Sequence, residues 1–204
     1  APARGAPAAA PARAAPAAAP AAAPAKAAPG GVAVGSMKVH MTASELDLLT
    51  SAMRASRKYF EFGMGGSTVL AGSLVAETIY AVDSDRAWIA KVEAELAGCN
   101  KTVKLIHADI GPTGKWGFPG SVRPDLFPNY HERLAEHVAE DFDLYFIDGR
   151  FRVACCALVA KYMRPDAVVA IHDYRHRKHY HAVETLMRPI AEAGEMTLFV
   201  RRRD

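Results

Sequence analysis

Short apolar runs alternate with helix-like stretches along most of this 204-residue chain, and that alternation limits its fold more than any other feature. The runs fall at 59–62, 78–82, 103–107, 144–147, 167–171 and 196–200. Helical spacing of apolar residues predicts helices near 43–56, 67–75, 86–97, 129–139, 150–163 and 180–193, the first of them with Thr42 or Ser44 as N-cap and Glu45 in its first turn. Strands apolar on both faces belong to parallel sheets, because each parallel connection needs a crossover long enough to hold a helix. The expected fold is therefore α/β, a mostly parallel twisted sheet with helices on both faces.

Residues 1–35 do not share this pattern. Seven of the 13 prolines fall in the first 29 residues, among alanines and with no acid before Glu45. Proline at every fourth or fifth position costs a helix roughly 3 kcal/mol each time and biases the preceding residue toward extended backbone. An extended, disordered Ala/Pro-rich arm over 1–35 is expected, followed by one domain over 36–204. The arm is compatible with an organelle-targeting leader or a secreted linker, and it names no compartment. Of the 25 basic residues, Arg4, Arg13, Lys26 and Lys38 precede Glu45, leaving 21 against 22 acids in the remainder. A near-neutral domain lacks the general attraction to a phosphate backbone, so no nucleic-acid partner is expected. Cys99, Cys155 and Cys156 have neither disulfide-framework nor metal-ligand spacing and read as core thiols. No run of 18 apolar residues lacks charge or proline, so no membrane span and a soluble protein are expected. Nothing in the sequence sets an oligomeric state.

Three strand ends carry chemistry. Glu61-Phe62-Gly63-Met64-Gly65-Gly66-Ser67 joins the run at 59–62 to a helix, and glycines there let backbone approach a ligand beside free helix N–H groups. The next run ends at Asp83, 20 positions after Gly63, where a carboxylate can accept both hydroxyls of a ribose. The third ends His107-Ala108-Asp109, placing another acid at the same sheet edge. Together these predict a nucleoside site. After Asp109 the rhythm breaks: residues 110–128 are rich in Gly and Pro, yet Trp116 and Phe118 argue that this loop packs on something.

With Phe142-Asp143-Leu144-Tyr145-Phe146-Ile147-Asp148-Gly149 and the later Ile171-His172-Asp173, these segments resemble the class I S-adenosylmethionine-dependent methyltransferases over roughly 58–200. The resemblance implies a Rossmann-like fold with S-adenosyl-L-methionine as cofactor. It places Glu61, Gly63, Gly65, Gly66 and Ser67 near the methionyl and ribose part, Asp83 on the ribose hydroxyls and Asp109 near the adenine. Such proteins close their sheet with an antiparallel hairpin, whereas only the run at 196–200 follows the helix expected at 180–193, so the sheet reads as one strand short.

Methyl transfer needs an aligned acceptor whose nucleophilic atom is free of its proton. His172 is the candidate base and Asp148 its orienting partner, with Asp173 beside them as the third catalytic candidate. In the divalent-metal branch of related O-methyltransferases the ligands are an acid on the fourth strand and an acid followed by an amide on the fifth. Asp148 and Asp173 match, but Tyr174 stands in the amide position, so a divalent metal is open and not favoured, and no metal ligand is assigned. Residues 172–181 hold four histidines and three fixed cations, which reads either as a solvated loop or as a lid for an anionic or phenolic acceptor. The leading expectation is methyl transfer to a small-molecule acceptor, with oxygen slightly preferred. The alternatives are an inactive methyltransferase-like binding or assembly module, which a shortened sheet would suit, and a nicotinamide-dependent oxidoreductase, which needs more chain after Asp148.

Overall fold

A computed structural model describes residues 32–120 and 123–202. The expected arm lies mostly outside the described residues. Chain order runs β1 (Val32–Val34), β2 (Met37–Val39), α1 (Ala43–Arg54), β3 (Lys58–Phe62), α2 (Gly66–Leu74), β4 (Thr78–Asp83), α3 (Arg86–Glu95), β5 (Thr102–His107), α4 (Pro128–Glu132), β6 (Leu144–Ile147), α5 (Arg152–Tyr162), β7 (Val168–Ile171), β8 (Met187–Ala193) and β9 (Met196–Arg201). The main sheet has the order β5-β4-β3-β6-β7-β9-β8. β3 to β7 run parallel, while β9 is antiparallel to both β7 and β8. Helices and loops cover both faces, and Phe60, Phe62 and Ile147 on one face and Tyr59, Ile79 and Phe146 on the other are wholly buried.

Two departures from expectation have physical causes. β1 and β2 form an antiparallel hairpin of three residues per strand, too short to show a period, and it begins at Val32, within the stretch read as arm. The helix expected at 180–193 is instead a 3-10 segment (Lys178–Thr185) followed by β8, so the sheet is not short of a strand. Val183, Leu186, Met187 and Ile190 recur at helical spacing, but Leu186 and Ile190 are exposed at 41% and 43%. Pro189 cannot continue a helix and is tolerated on an edge strand. Gly194, at φ +54°, turns the chain into β9.

That turn is tied to the front of the domain by Glu45. Its carboxylate accepts from the Thr42 N–H at 2.7 Å, completing a capping box on α1, and from the Glu195 N–H at 2.6 Å. The segment expected at 129–139 is α4 followed by a 3-10 run (Arg133–Glu140) kinked at His137. Cys155 and Cys156 are fully buried, and burial pushes both thiols far up, as core thiols require.

Candidate functional site

Strand order reverses between β3 and β6, and in open α/β sheets that switch point opens a crevice beyond the carboxyl ends of the strands. Gly63 follows β3 at φ +95°, and a Cβ there would lie 2.5 Å from both the N and Cα of Gly149, just after β6. A Cβ on Gly149 would in turn meet the Tyr130 hydroxyl and lie 2.8 Å from the Gly63 N. The two turns interlock backbone on backbone, and a cleft of about 440 Å³ lies over them, within the range of small-molecule sites.

Gly63, Gly65, Gly66, Ser67, Asp83 and Asp148 all line this cleft. At Gly65 a Cβ would meet only the Trp88 ring, at 3.7 Å, so its missing side chain leaves space over the cleft. Gly66 has a different reason: a Cβ would come within 2.9 Å of the Lys38 carbonyl oxygen and Val39 Cγ2, so glycine seats β2 against α2. The Asp83 carboxylate accepts from the N–H groups of Ser84 (2.7 Å) and Asp85 (3.0 Å). Burial pushes its pKa up to about 6, those backbone donors offsetting only part of the rise.

Four expected site residues do not line the cleft. Glu61 is fully buried beneath it and accepts from Ser67 Oγ (2.5 Å) and Thr68 Oγ1 (2.6 Å), which pins the start of α2. Burial pushes this carboxyl up to about 8 despite those hydroxyls, so Glu61 supports the glycine turn. Asp109 is exposed and caps its own loop, accepting from the Gly111 N–H at 2.9 Å. His172 and Asp173 belong to a charged cluster adjoining Asp148.

That cluster is set by sheet register. Ile147 lies opposite Ile171, so Asp148 and His172 leave neighbouring strands side by side. His172 Nδ1 lies 3.1 Å from Asp148 Oδ1, and its Nε2 lies 3.6 Å from Glu45 Oε2. Burial would lower the His172 pKa, but the bond and charge of Asp148 outweigh it and hold the imidazole above its ordinary value. Burial raises Asp148, and His172 with Arg152 more than reverses this, holding it below the carboxylate range. His172 is 8% exposed, does not line the cleft and turns both ring nitrogens toward carboxylates, which weighs against the expected base role.

Asp148, His172 and Asp173 place one ligand atom each within 4.8 Å of one another, the spacing of a cation site. Arg152 already supplies the cation. Its buried guanidinium puts Nη2 3.0 Å from Asp148 Oδ1 and 3.1 Å from Asp173 Oδ2, while Nε and Nη2 donate to the carbonyls of Gly149 and Asp148. Tyr174, in the amide position, turns away, donating to Glu184 at 2.7 Å and stacking on His181. Two carboxylates already bridged by a fixed guanidinium do not fit a divalent ion, which wants several oxygens to itself.

The loop after β5 forms the outer wall. Trp116, at φ +62° and 63% exposed, meets the His40 ring edge-on at 5.5 Å, and a Cβ on Gly117 would lie 3.5 Å from Ser84 Oγ. Arg150 lies over the Phe118 ring at 4.2 Å. The loop thus runs as a strap from the β4 tip to Arg150 and the segment after β2. Trp88, on α3, closes the inner side and donates from Nε1 to the Met64 carbonyl at 2.7 Å. Lys38, His40, Trp88, Lys115, Arg150 and Arg152 were not assigned from sequence. For the last two, the run Gly149-Arg150-Phe151-Arg152 directly after the acid at 148 was the available signal.

A parallel sheet ending in an antiparallel hairpin, with its cleft at the switch point, defines the class as Rossmann-like and of the S-adenosylmethionine-dependent methyltransferase type. Residues 60–174, more than half of the chain, match a protein-family model described as a methyltransferase domain, and the chain belongs to that family. A methyltransferase-like protein from Silicibacter pomeroyi is 31% identical, the match covering 82% of this chain and 90% of that one, with a TM-score of 0.75. An SAH-bound methyltransferase from Podospora anserina is 13% identical over 81% of this chain and 80% of its own, with a TM-score of 0.54. A 16S rRNA N2 G1207 methyltransferase from T. thermophilus, in complex with AdoMet and guanosine, is 17% identical over 87% of this chain and 46% of its own, also at 0.54. No curated protein sequence matches the chain. S-adenosylmethionine is the cofactor of this superfamily, and the cleft residues fit it: a turn with three glycines, the N–H groups at the start of α2 and an acid at the β4 tip. Because an rRNA methyltransferase shares the fold, the expected exclusion of nucleic acid is not supported. No helix among the described residues is long and apolar enough to cross a membrane.

Proposed function

We propose that this protein transfers a methyl group from S-adenosylmethionine to an oxygen of a small-molecule acceptor. The observation that carries the reading is the convergence of Gly63, Asp83 and Asp148, from the tips of three adjacent strands, on one cleft. When bound, S-adenosylmethionine supplies an electrophilic methyl group. Gly65 leaves room for it over the cleft, the first turn of α2 offers N–H groups, and Asp83 accepts from ribose hydroxyls. Asp148, the cleft-facing member of the charged cluster, orients the acceptor, while His172 and Arg152 hold its carboxylate in one position. The closed sheet removes the observation that favoured an inactive module.

The test is incubation of the full chain with methyl-labelled S-adenosylmethionine and a panel of phenols, carboxylic acids and amines. Label in ethers or esters supports the reading, and label only in amines, or in none, overturns it. Asp83→Ala should weaken cofactor binding by about 1.5–3 kcal/mol while the fold survives, because it removes charge-assisted hydrogen bonds at a strand tip. A pH dependence follows from the same group. Asp83 is ionised above about pH 6 and neutral below it, so cofactor affinity should fall as pH drops through that value. Asp83→Asn should bind weakly and flatten that profile, and an unchanged profile would remove Asp83 from the ribose.

A further inference from the structure

We infer that Lys115 and Arg150 form a subsite for an anionic group, a carboxylate or a phosphate, carried by an aromatic methyl acceptor. This rests on the function just proposed and specifies its acceptor.

The first observation is two cations without a carboxylate partner. Arg152, Arg164 and Arg177 each sit within 4.0 Å of a carboxylate. Lys115 and Arg150 both reach the cleft, and neither has a carboxylate within that distance among the described residues. Asp148 feels the charge of Arg150 from farther away, but it is already neutralised by Arg152 and His172. S-adenosylmethionine does not supply the missing anion, since its sulfonium and ammonium outnumber its one carboxylate. If that carboxylate takes the third cleft cation, Lys38, then Lys115 and Arg150 still face a net positive cofactor. Asp83 and Asp85 also line the cleft, but neither lies within 4.0 Å of Lys115 or Arg150, so an anionic acceptor is the local counterion of these two cations.

The second observation is the geometry of Arg150. Its guanidinium carbon lies over the Phe118 ring, 4.2 Å from the centroid, and its N–H edge donates to no acceptor among the described residues. Such an edge matches a carboxylate or phosphate in forked fashion. The third is apolar: Trp116 and Phe118 are 63% and 58% exposed on the strap, and the Trp116 backbone is held at φ +62°, a region costly for a tryptophan. Strain of this kind collects at ligand sites, and here it presents a largely exposed ring, with His40 against it and Lys115 Nζ 5.9 Å from its centroid. A planar acceptor can stack on that ring while its anionic group meets the two cations. The cations also lower the pKa of a phenolic acceptor, whose proton leaves to solvent before transfer, and a carboxylic acceptor is already ionised, so neither needs a buried base.

Calorimetry on the S-adenosylhomocysteine-loaded full chain with benzoate, phenyl phosphate and benzyl alcohol tests this. At least one anion should bind about ten-fold or more tighter than benzyl alcohol, and their order identifies the group. Arg150→Gln and Lys115→Gln, which break no ion pair, should each remove most of that preference while S-adenosylhomocysteine affinity stays within about two-fold. Equal binding of the neutral alcohol, or variants that keep the preference, would overturn the inference and leave the proposed function standing. Tighter binding of a ten-nucleotide single-stranded RNA with the same dependence on Arg150 would overturn the inference and the small-molecule acceptor together, by making the cations a phosphate-backbone contact. If the parent chain does not bind S-adenosylhomocysteine, the proposed function fails and this subsite with it.

Discussion

Arg152→Met should destabilise the protein by about 3–5 kcal/mol, the scale on which removing one partner of a buried ion pair acts. Arg152 is 4% exposed and touches two carboxylates and three main-chain carbonyls, so its loss removes the cation between Asp148 and Asp173 and leaves them only their outer partners, His172 on Asp148 and Arg177 on Asp173. Denaturant unfolding measures the loss, and a change under about 1 kcal/mol would show that the guanidinium does not hold the cluster. Arg152 also separates the two ways of using these acids. In the parent chain EDTA should leave methyl transfer unchanged, because the cation between the acids is covalently part of the protein. In Arg152→Met, added manganese should recover part of the lost stability by binding the vacated carboxylates with His172. Activity in the parent that collapses with EDTA and returns with magnesium would overturn this picture.

Gly63→Ala should be comparably severe, at about 3 kcal/mol or more, and should also abolish cofactor binding. A side chain is strained at φ +95°, and its Cβ would lie 2.5 Å from the Gly149 backbone, where no flexible side chain can give way. The β3 and β6 tips would have to part, which moves Asp148 relative to Asp83. Gly65→Ala is the contrasting control, since its Cβ would meet only the Trp88 ring at ordinary contact distance. It should fold nearly as well as the parent, and equal stability losses at the two glycines would show that the interlocked turns have been misread.

The parts of the site carried on single strands were legible in the sequence. Gly63, Asp83 and Asp148 each follow or end an apolar run, and a parallel sheet delivers such positions to one edge whatever the register. What could not be read depends on register or on distant loops. Arg152 meets Asp173 because Ile147 pairs with Ile171, and Glu45 meets His172 because the turn after β8 docks on the start of α1. Neither neighbour can be inferred from spacing along the chain. The last helix was misread for a different reason: four apolar residues at helical spacing imitated an amphipathic face, while Pro189 and Gly194 carried the contrary signal. Asp109 shows the limit of position alone, since it ends at the expected edge but turns to cap its own loop at Gly111. The strap was visible only as two aromatics in a glycine-rich stretch, and its placement across the cleft needed the His40 and Arg150 contacts.

The most direct measurement is a calorimetric titration of the full chain with S-adenosylmethionine and S-adenosylhomocysteine at pH 7.5. The cleft built on Gly63, Asp83 and Asp148 predicts one site per chain with an affinity of about micromolar, weakened about ten-fold or more in Asp83→Ala. Absence of binding at millimolar ligand, or binding that Asp83→Ala leaves untouched, would contradict it.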